Sequence, residues 1–352
     1  MKSKNYSENI IKVFKKDGFV LSEPDVLLDS DYIIERSGEN FRKIMLTFED
    51  DAGKSMCLRP DLTVASCIKY LKDNSKANSK IYYSGQAYRR SQSLSKVINY
   101  QLGLEIFGSN NKSFDDLKVL KTITNSINKI KIKNISIKVG DVSLFKQLIE
   151  SLKIPERWKM RLKRHFWRPQ YFEDLLRRLE TNSDVDPLAV ELDKKRFTEM
   201  KNLDQSKEIA SRKVSEILYR FDRKIKDPRS FAENKKIAKI IREFLKINCP
   251  ISQLDKKLKN FVKKNKLKNS VFKDLSNIKN LSKINSKMVF STNFGRDIEY
   301  YTGIVFEIYN SSKNEIARGG RYDSLLKSLG SKKNISAVGA AINLNNLSIW
   351  KI

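Results

Sequence analysis

None of the 13 glycines in this chain lies between Ser143 and Asn285. Tight hairpins need residues that accept positive φ, and glycine does so at the least cost. A long glycine-free stretch, charged and broken by Pro155, Pro169, Pro187, Pro228 and Pro250, is therefore read as helices without hairpins. Glycines and short apolar runs crowd the chain on both sides of it. The expected organisation is an α+β unit in two parts, residues 1–142 and 286–352, with a helical insertion over 143–285. At 352 residues, two units are the natural count.

Local patterns fill in that outline. Ile10, Ile11, Val13 and Phe14 lie at helical spacing, and the helix they predict stops before Gly18. Lys43 to Phe48, Lys80 to Tyr83 and Gly103 to Phe107 read as strands. Ser113 with Asp116 has the form of a capping box, and it opens a helix whose Leu117, Leu120, Ile123, Ile127 and Ile130 recur every three or four residues. Ile135, Ile137 and Val139 alternate with polar residues as a strand does, and Gly140-Asp141 ends it. After the insertion, strands are predicted over Met288 to Ser291 and Gly303 to Tyr309, then a turn at Arg318-Gly319-Gly320.

Charge decides less than its size implies. The formal net charge of +29 would suit a face that neutralises phosphates. The lysines, however, are spread over the whole chain. From Asp255 to Lys268 they fill the outer face of a helix whose Leu254, Leu258, Phe261 and Val262 form the apolar stripe. Solvated, lysine-rich surface accounts for the charge, and specific nucleic-acid binding is not expected. No apolar run approaches the ~20 residues that span a bilayer. The polar start from Met1 to Glu8 lacks the apolar core of a secretory signal. A cytoplasmic protein without membrane contact is expected. Cys57, Cys67 and Cys249 stand far apart and His165 is the single histidine, so no disulfide framework, metal site or other cofactor is expected.

Four segments carry chemistry. In Arg59-Pro60-Asp61-Leu62-Thr63, a carboxylate and a hydroxyl stand two residues apart. On an extended segment both point the same way and can accept from an ammonium group; Pro-Asp-x-Thr is equally an ordinary helix N-cap. Gln101, Gly103 and Glu105 share a strand face after the segment bearing Arg89, with Gly103 leaving room for a ligand; a solvated sheet face has the same pattern. Arg296, then Tyr300-Tyr301-Thr302-Gly303, offers a guanidinium for a carboxylate and phenols for hydrogen bonding. Gly319-Gly320-Arg321-Tyr322-Asp323 reads as a glycine turn opening an amphipathic helix, whose N-terminus favours anions.

In this order the segments resemble the catalytic module of the histidyl-tRNA synthetases, from Tyr6 to about Asp141 and again from Met288 to Leu347. The resemblance implies a class II aminoacyl-tRNA synthetase-like fold, an antiparallel sheet flanked by helices, dimeric through the segment holding Pro24. It implies that Asp61, Thr63 and Gln101 hold the α-ammonium of histidine. Glu105 and Tyr301 would meet the imidazole and Arg296 the carboxylate, with Arg89 and Tyr322 completing the pocket. Asp61 stands where synthetases more often carry Glu, and Glu299 where they carry Asp.

The departures from that family matter as much. The run from Arg90 to Asn99 is shorter than the ATP-handling loop of a synthetase and has no carboxylate. Asn346 stands where the last class II motif places an arginine on the triphosphate, a fixed cation of the kind phosphoryl chemistry relies on. The chain stops at Ile352, so no anticodon-binding domain is expected. This combination resembles the regulatory subunits of short-form ATP phosphoribosyltransferases. The runs Gly140 to Phe145 and Phe166-Trp167-Arg168-Pro169 resemble them too, with His165 as a helix-surface residue. That likeness implies a chain without catalysis of its own. It would bind L-histidine and form a homodimer within a hetero-oligomer that holds the short catalytic subunit. It would also mediate feedback inhibition in the first step of histidine biosynthesis. A truncated histidyl-tRNA synthetase paralogue that still activates histidine is the alternative.

Overall fold

The computed structural model describes residues 2–37, 39–73, 78–92, 97–181, 187–209, 212–225, 231–272, 275–285, 287–295 and 299–347. The chain divides into two compact units. One comprises Met1–Leu144, Asn248–Lys259 and Phe272–Ile352, the other Phe145–Ile247 and Asn260–Val271. In chain order the strands are β1 (Val20–Leu21), β2 (Leu27–Asp29), β3 (Leu46–Glu49), β4 (Ser55–Leu58), β5 (Ser79–Tyr88), β6 (Ile98–Phe107) and β7 (Ser136–Asp141). There follow β8 (Glu208–Ile209), β9 (Arg212–Lys213), β10 (Asn248–Pro250), β11 (Val289–Ser291), β12 (Ile304–Tyr309), β13 (Glu315–Arg321) and β14 (Ala337–Asn343).

The first unit is built on a nine-stranded sheet in the order β1-β5-β6-β14-β13-β12-β7-β11-β10. From β5 to β7 every neighbouring pair is antiparallel. Only β1 beside β5 and β11 beside β7 run parallel. The last strands of the chain slot between β6 and β7, so residues distant in sequence become neighbours in the sheet. Strands β2, β4 and β3 make a second, small antiparallel sheet. The helices Lys2–Lys16 and Lys112–Lys129 pack on each other and on β6 and β14. Their Ile10, Phe14, Leu120, Ile123 and Ile127 are fully buried, each stabilising the fold by roughly 1.5–3 kcal/mol.

Local structure corrects several expectations. Lys43 and Ile44 close a short helix, Glu39–Ile44, and the strand starts only at Leu46. Strands β5 and β6 outrun the predicted Lys80 to Tyr83 and Gly103 to Phe107 because they pair along their whole length. The cap of the helix Lys112–Lys129 is Asn111, whose Oδ1 accepts from the Phe114 N–H at 3.1 Å. Ser113 lies inside the first turn, and Asp116 turns inward to Arg321.

The second unit is helical as its composition predicts, with helices Glu156–Arg164, Pro169–Thr181, Pro187–Lys201, Val214–Ile225 and Phe231–Leu245. Pro169 and Pro187 stand at helix starts, where a missing N–H costs nothing. The expectation of no hairpin fails, since β8 and β9 pair antiparallel within the glycine-free stretch. Two short paired segments suffice for that; the residues joining them, 210–211, lie outside the described ones. Phe145 stacks on Phe166 at 3.8 Å and meets Phe172 edge-on at 5.6 Å. Arg242 ties its helix to Pro169–Thr181 through Glu173 at 2.7 Å and Glu180 at 3.0 Å. His165 is a C-cap, half-buried against Tyr171, rather than a surface residue. At Asn248 the chain returns to the first unit, where β10 pairs with β11. Three residues ending in a proline are too few for a period-2 pattern to announce. Among the described residues no helix is long and apolar enough to cross a membrane.

Candidate functional site

One face of the large sheet is the floor of a cavity of ≈ 360 Å³. The register sets Gln101, Gly103 and Glu105 of β6 opposite Asn343, Ala341 and Gly339 of β14. Ala341 and Gly339 in turn face Arg318 and Gly320 of β13, and Arg318 faces Glu307 of β12. Directly paired residues present their side chains to the same face. One row of the floor is therefore Gly103, Ala341, Arg318 and Glu307, and the next Glu105, Gly339 and Gly320. Around it stand Asp61, Thr63, Arg89, Tyr300, Tyr301 and Tyr322.

Glu105 is fully buried. Its carboxylate accepts from Thr63 Oγ1 at 2.9 Å, from the Tyr83 hydroxyl at 3.1 Å and from the Tyr322 hydroxyl. Burial outweighs these donors and pushes its pKa up to about 8. A Cβ at Gly339 would collide with this carboxylate, so glycine there is what admits Glu105 to the floor. The room left by Gly103 is taken by the Tyr83 ring, not held open for a ligand.

Asp61 caps the helix Leu62–Lys72, its Oδ1 accepting the Val64 N–H at 2.7 Å. Of the two sequence readings of Pro-Asp-x-Thr, the helix cap is the local structure and the extended segment is not. Cap and second helical residue both sit at the open end of a helix, which is how Asp61 and Thr63 still reach the cavity wall. Burial raises the Asp61 pKa, against the Val64 N–H and Arg89. Burial likewise lifts the Tyr301 and Tyr300 hydroxyls above their ordinary range. The Tyr300 ring stands between Tyr301 and Tyr322, at 5.1 and 5.8 Å between centroids. Arg89 lines the cavity with its Nε donating to Pro60 O at 2.8 Å.

Gly319 and Gly320 are not a turn. Both lie within β13, and the helix beyond, Leu325–Ser328, is a single turn. A Cβ at Gly320 would stand 2.7 Å from the Tyr301 ring, so the glycine serves close approach and the anion-binding helix start falls away. Arg321 is a structural lock: its Nε donates to Asp116 at 2.9 Å, Nη1 to Asp323 and Ser336, and Nη2 to Lys112 O.

Sequence reasoning assigned no role to Arg318. Its Nη2 lies 2.6 Å from Glu307 and 2.7 Å from Glu315, while Nε is buried without an acceptor among the described residues. An unmet buried N–H costs about 1–3 kcal/mol. Burial opposes the charge of Arg318, and Glu315 and Glu307 more than restore it, raising its pKa. The signal in the sequence was the period of two that places Arg318 in line with Gly320 and Tyr322; the glycines drew the eye instead. Glu315 and Asn343 also line the cavity without having been assigned, as do Glu299 and Tyr300, the second of them read from sequence only as a phenol for hydrogen bonding.

Of the eight residues singled out from sequence, Asp61, Thr63, Arg89, Gln101, Tyr301 and Tyr322 line this one cavity. Glu105 is not among the lining residues but is bonded to two that are, Thr63 and Tyr322. Arg296 lies outside the described residues. Asn346 has a structural task, its Nδ2 donating to Glu315 O at 2.7 Å.

A family model described as histidyl-tRNA synthetase matches residues 1–347. The ATP phosphoribosyltransferase regulatory subunit of Allorhizobium ampelinum is 25% identical, over 98% of this chain and 97% of its own. The protein of the same name from Sinorhizobium fredii is 24% identical, over 97% and 95%. Among solved structures, an ATP phosphoribosyltransferase regulatory subunit/histidyl-tRNA synthetase from Bacillus halodurans has a TM-score of 0.65 at 18% identity, covering 98% of this chain and 77% of that one. Histidyl-tRNA synthetase from Nostoc sp. PCC 7120 has a TM-score of 0.61 at 16% identity, over 98% and 70%. Identities this low speak for the fold: an α+β, class II synthetase-like arrangement of sheet and helices.

Proposed function

The chain belongs to the histidyl-tRNA synthetase family, and we propose that within it this protein is a regulatory subunit of an ATP phosphoribosyltransferase, binding histidine without catalysis of its own. The observation that carries the reading is Asn346. Its amide is engaged by the backbone of Glu315, at the place where a synthetase presents an arginine to ATP. The groups suited to a free amino acid remain. Asp61, Thr63 and Gln101 are acceptors for an ammonium group, Glu105 and Tyr301 face the imidazole, and Arg296 takes the carboxylate, with Arg89 and Tyr322 closing the pocket. Glu105 is fully buried and bonded to Thr63, Tyr83 and Tyr322, so its contact with an imidazole requires Tyr322 or Tyr83 to turn aside.

A pocket of this kind has no output of its own and acts by favouring one state of an assembly. The partner is the short catalytic phosphoribosyltransferase chain, as the names of the curated relatives imply, in a cytoplasmic hetero-oligomer containing a homodimer of this chain. The rival is a synthetase paralogue that activates histidine, for which Arg296 would serve catalysis as well as binding. Calorimetry with L-histidine and with ATP, then co-purification and assay with the catalytic chain, separates the two. Histidine should bind, ATP should give no heat below a millimolar, and the complex should form and be inhibited by histidine. Adenylate formation would replace this reading with its rival, and a chain that binds no histidine would remove both.

A further inference from the structure

We propose that Arg318 is a second guanidinium, in addition to Arg296, by which this cavity selects ligands that carry a carboxylate, an inference that rests on the amino-acid reading of the site. Arg318 stands on the floor beside Ala341, whose small side chain lines the same cavity. Its guanidinium is held from behind. Nη2 reaches both Glu307 and Glu315, and Nε is buried, so Nη1 is the nitrogen left to face the cavity. The supports are themselves fixed: Glu307 accepts from the Tyr309 hydroxyl, and the backbone of Glu315 accepts from Asn346. A guanidinium anchored at one end and open at the other is a preorganised receptor for a planar anion. Around the rest of the cavity, Asp61, Gln101 and Glu299 are acceptors that suit the cationic end of a zwitterion. An amino acid whose ammonium lies at Asp61 then presents its carboxylate toward the floor.

Histamine tests this, because it keeps the imidazole and the ammonium of histidine and lacks the carboxylate. Calorimetry on the full chain should give wild type a preference for L-histidine over histamine of about tenfold or more, the size of one charge-assisted hydrogen bond. Arg318→Ala should reduce that preference by weakening histidine alone, with histamine within about twofold of wild type on the same scale. Arg318→Gln, close in shape, supplies the same comparison if the alanine variant unfolds. Glu315→Gln, which loosens the anchor, should lower histidine affinity in part and leave histamine unchanged. Equal losses for both ligands would make Arg318 a merely structural residue and overturn the proposal. So would an intact preference in Arg318→Ala with Arg296→Ala alone abolishing it. A wild-type chain that binds neither ligand would remove the histidine-binding reading itself, a result distinct from either of these.

Discussion

Two deeply buried acids of the sheet unit and two half-buried ones of the helical unit behave in opposite ways. In the sheet unit, burial pushes Glu105 up to about 8 and Asp116 up to about 6, although each has donors or an arginine at hand. In the helical unit, Glu180 and Glu243 are lowered, through hydrogen bonds from Arg242 and from Lys264. Asp116 and Glu180 are each paired with an arginine, yet they differ in access to water. Taking a charge out of water costs several kcal/mol, and a partner recovers that only with good geometry. Charges in the sheet unit therefore register which neighbours are in place, whereas those in the helical unit chiefly keep a surface solvated.

The sharpest way to break this comparison is to remove an enclosed charge. Arg321→Met should destabilise by about 3–5 kcal/mol, because Asp116 is left buried and unpaired. Denaturant unfolding measures it, and a loss comparable to a surface pair would show that water reaches Asp116. Next in size is Glu105→Gln, which above about pH 8, where Glu105 is ionised, replaces a charged acceptor with a neutral one. Histidine affinity should fall by about tenfold or more in calorimetry.

Acidity separates these two pairs by sign. Glu105 and Asp116 bind protons more tightly when folded, so they favour the native state most at low pH. That contribution declines as pH rises from their ordinary 4.5 and 3.8 through about 8 and about 6. Glu180 and Glu243 bind protons less tightly when folded; their contribution is present above 4.5 and lost as pH falls through their lowered values. Trp158 and Trp167 both lie in the helical unit. Their fluorescence should report loosening in acid, while thermal stability of the sheet unit should fall between pH 6 and 8. Glu105→Gln should flatten that upper limb. If it does not, Glu105 is ionised in the folded protein.

The smallest effects belong to the helical surface. Arg242→Ala should cost about 1 kcal/mol, since its pairs with Glu173 and Glu180 are half-exposed. Arg177→Ala, whose pair with Asp174 is open to solvent, should stay within about 0.5 kcal/mol. Unfolding curves for both, set beside Arg321→Met, complete the series.

Much of this was legible in sequence where a single element carries the pattern. The helix Lys2–Lys16 follows from Ile10 and Phe14 at helical spacing, and the strand character of Gly103 to Phe107 survives in β6. Asp61 was read both as a helix cap and as a ligand group; the structure makes it the cap and puts it on the cavity wall. Misreadings came where a residue's meaning lay in another strand. Ser113 yielded to Asn111 as a cap because a shift of two residues decides which side chain faces the free N–H groups. The β8–β9 hairpin escaped because its two-residue strands leave no period to detect.

By itself the sequence determined where helices and strands could form, the division between glycine-bearing and glycine-free regions, and the order of the Asp61, Glu105 and Tyr322 segments. Those are properties of residues close along the chain, set by side-chain period and by backbone freedom. Only the tertiary structure decided what Gly339, Gly320 and Arg318 are for. Gly339 is obligatory because β14 lies beside β6 and brings it against Glu105; Gly320 is obligatory because Tyr301 crosses it. Arg318 meets Glu307 because β13 pairs with β12 in that register and no other. Register is a relation between strands, and a slip of one residue turns every side chain to the opposite face.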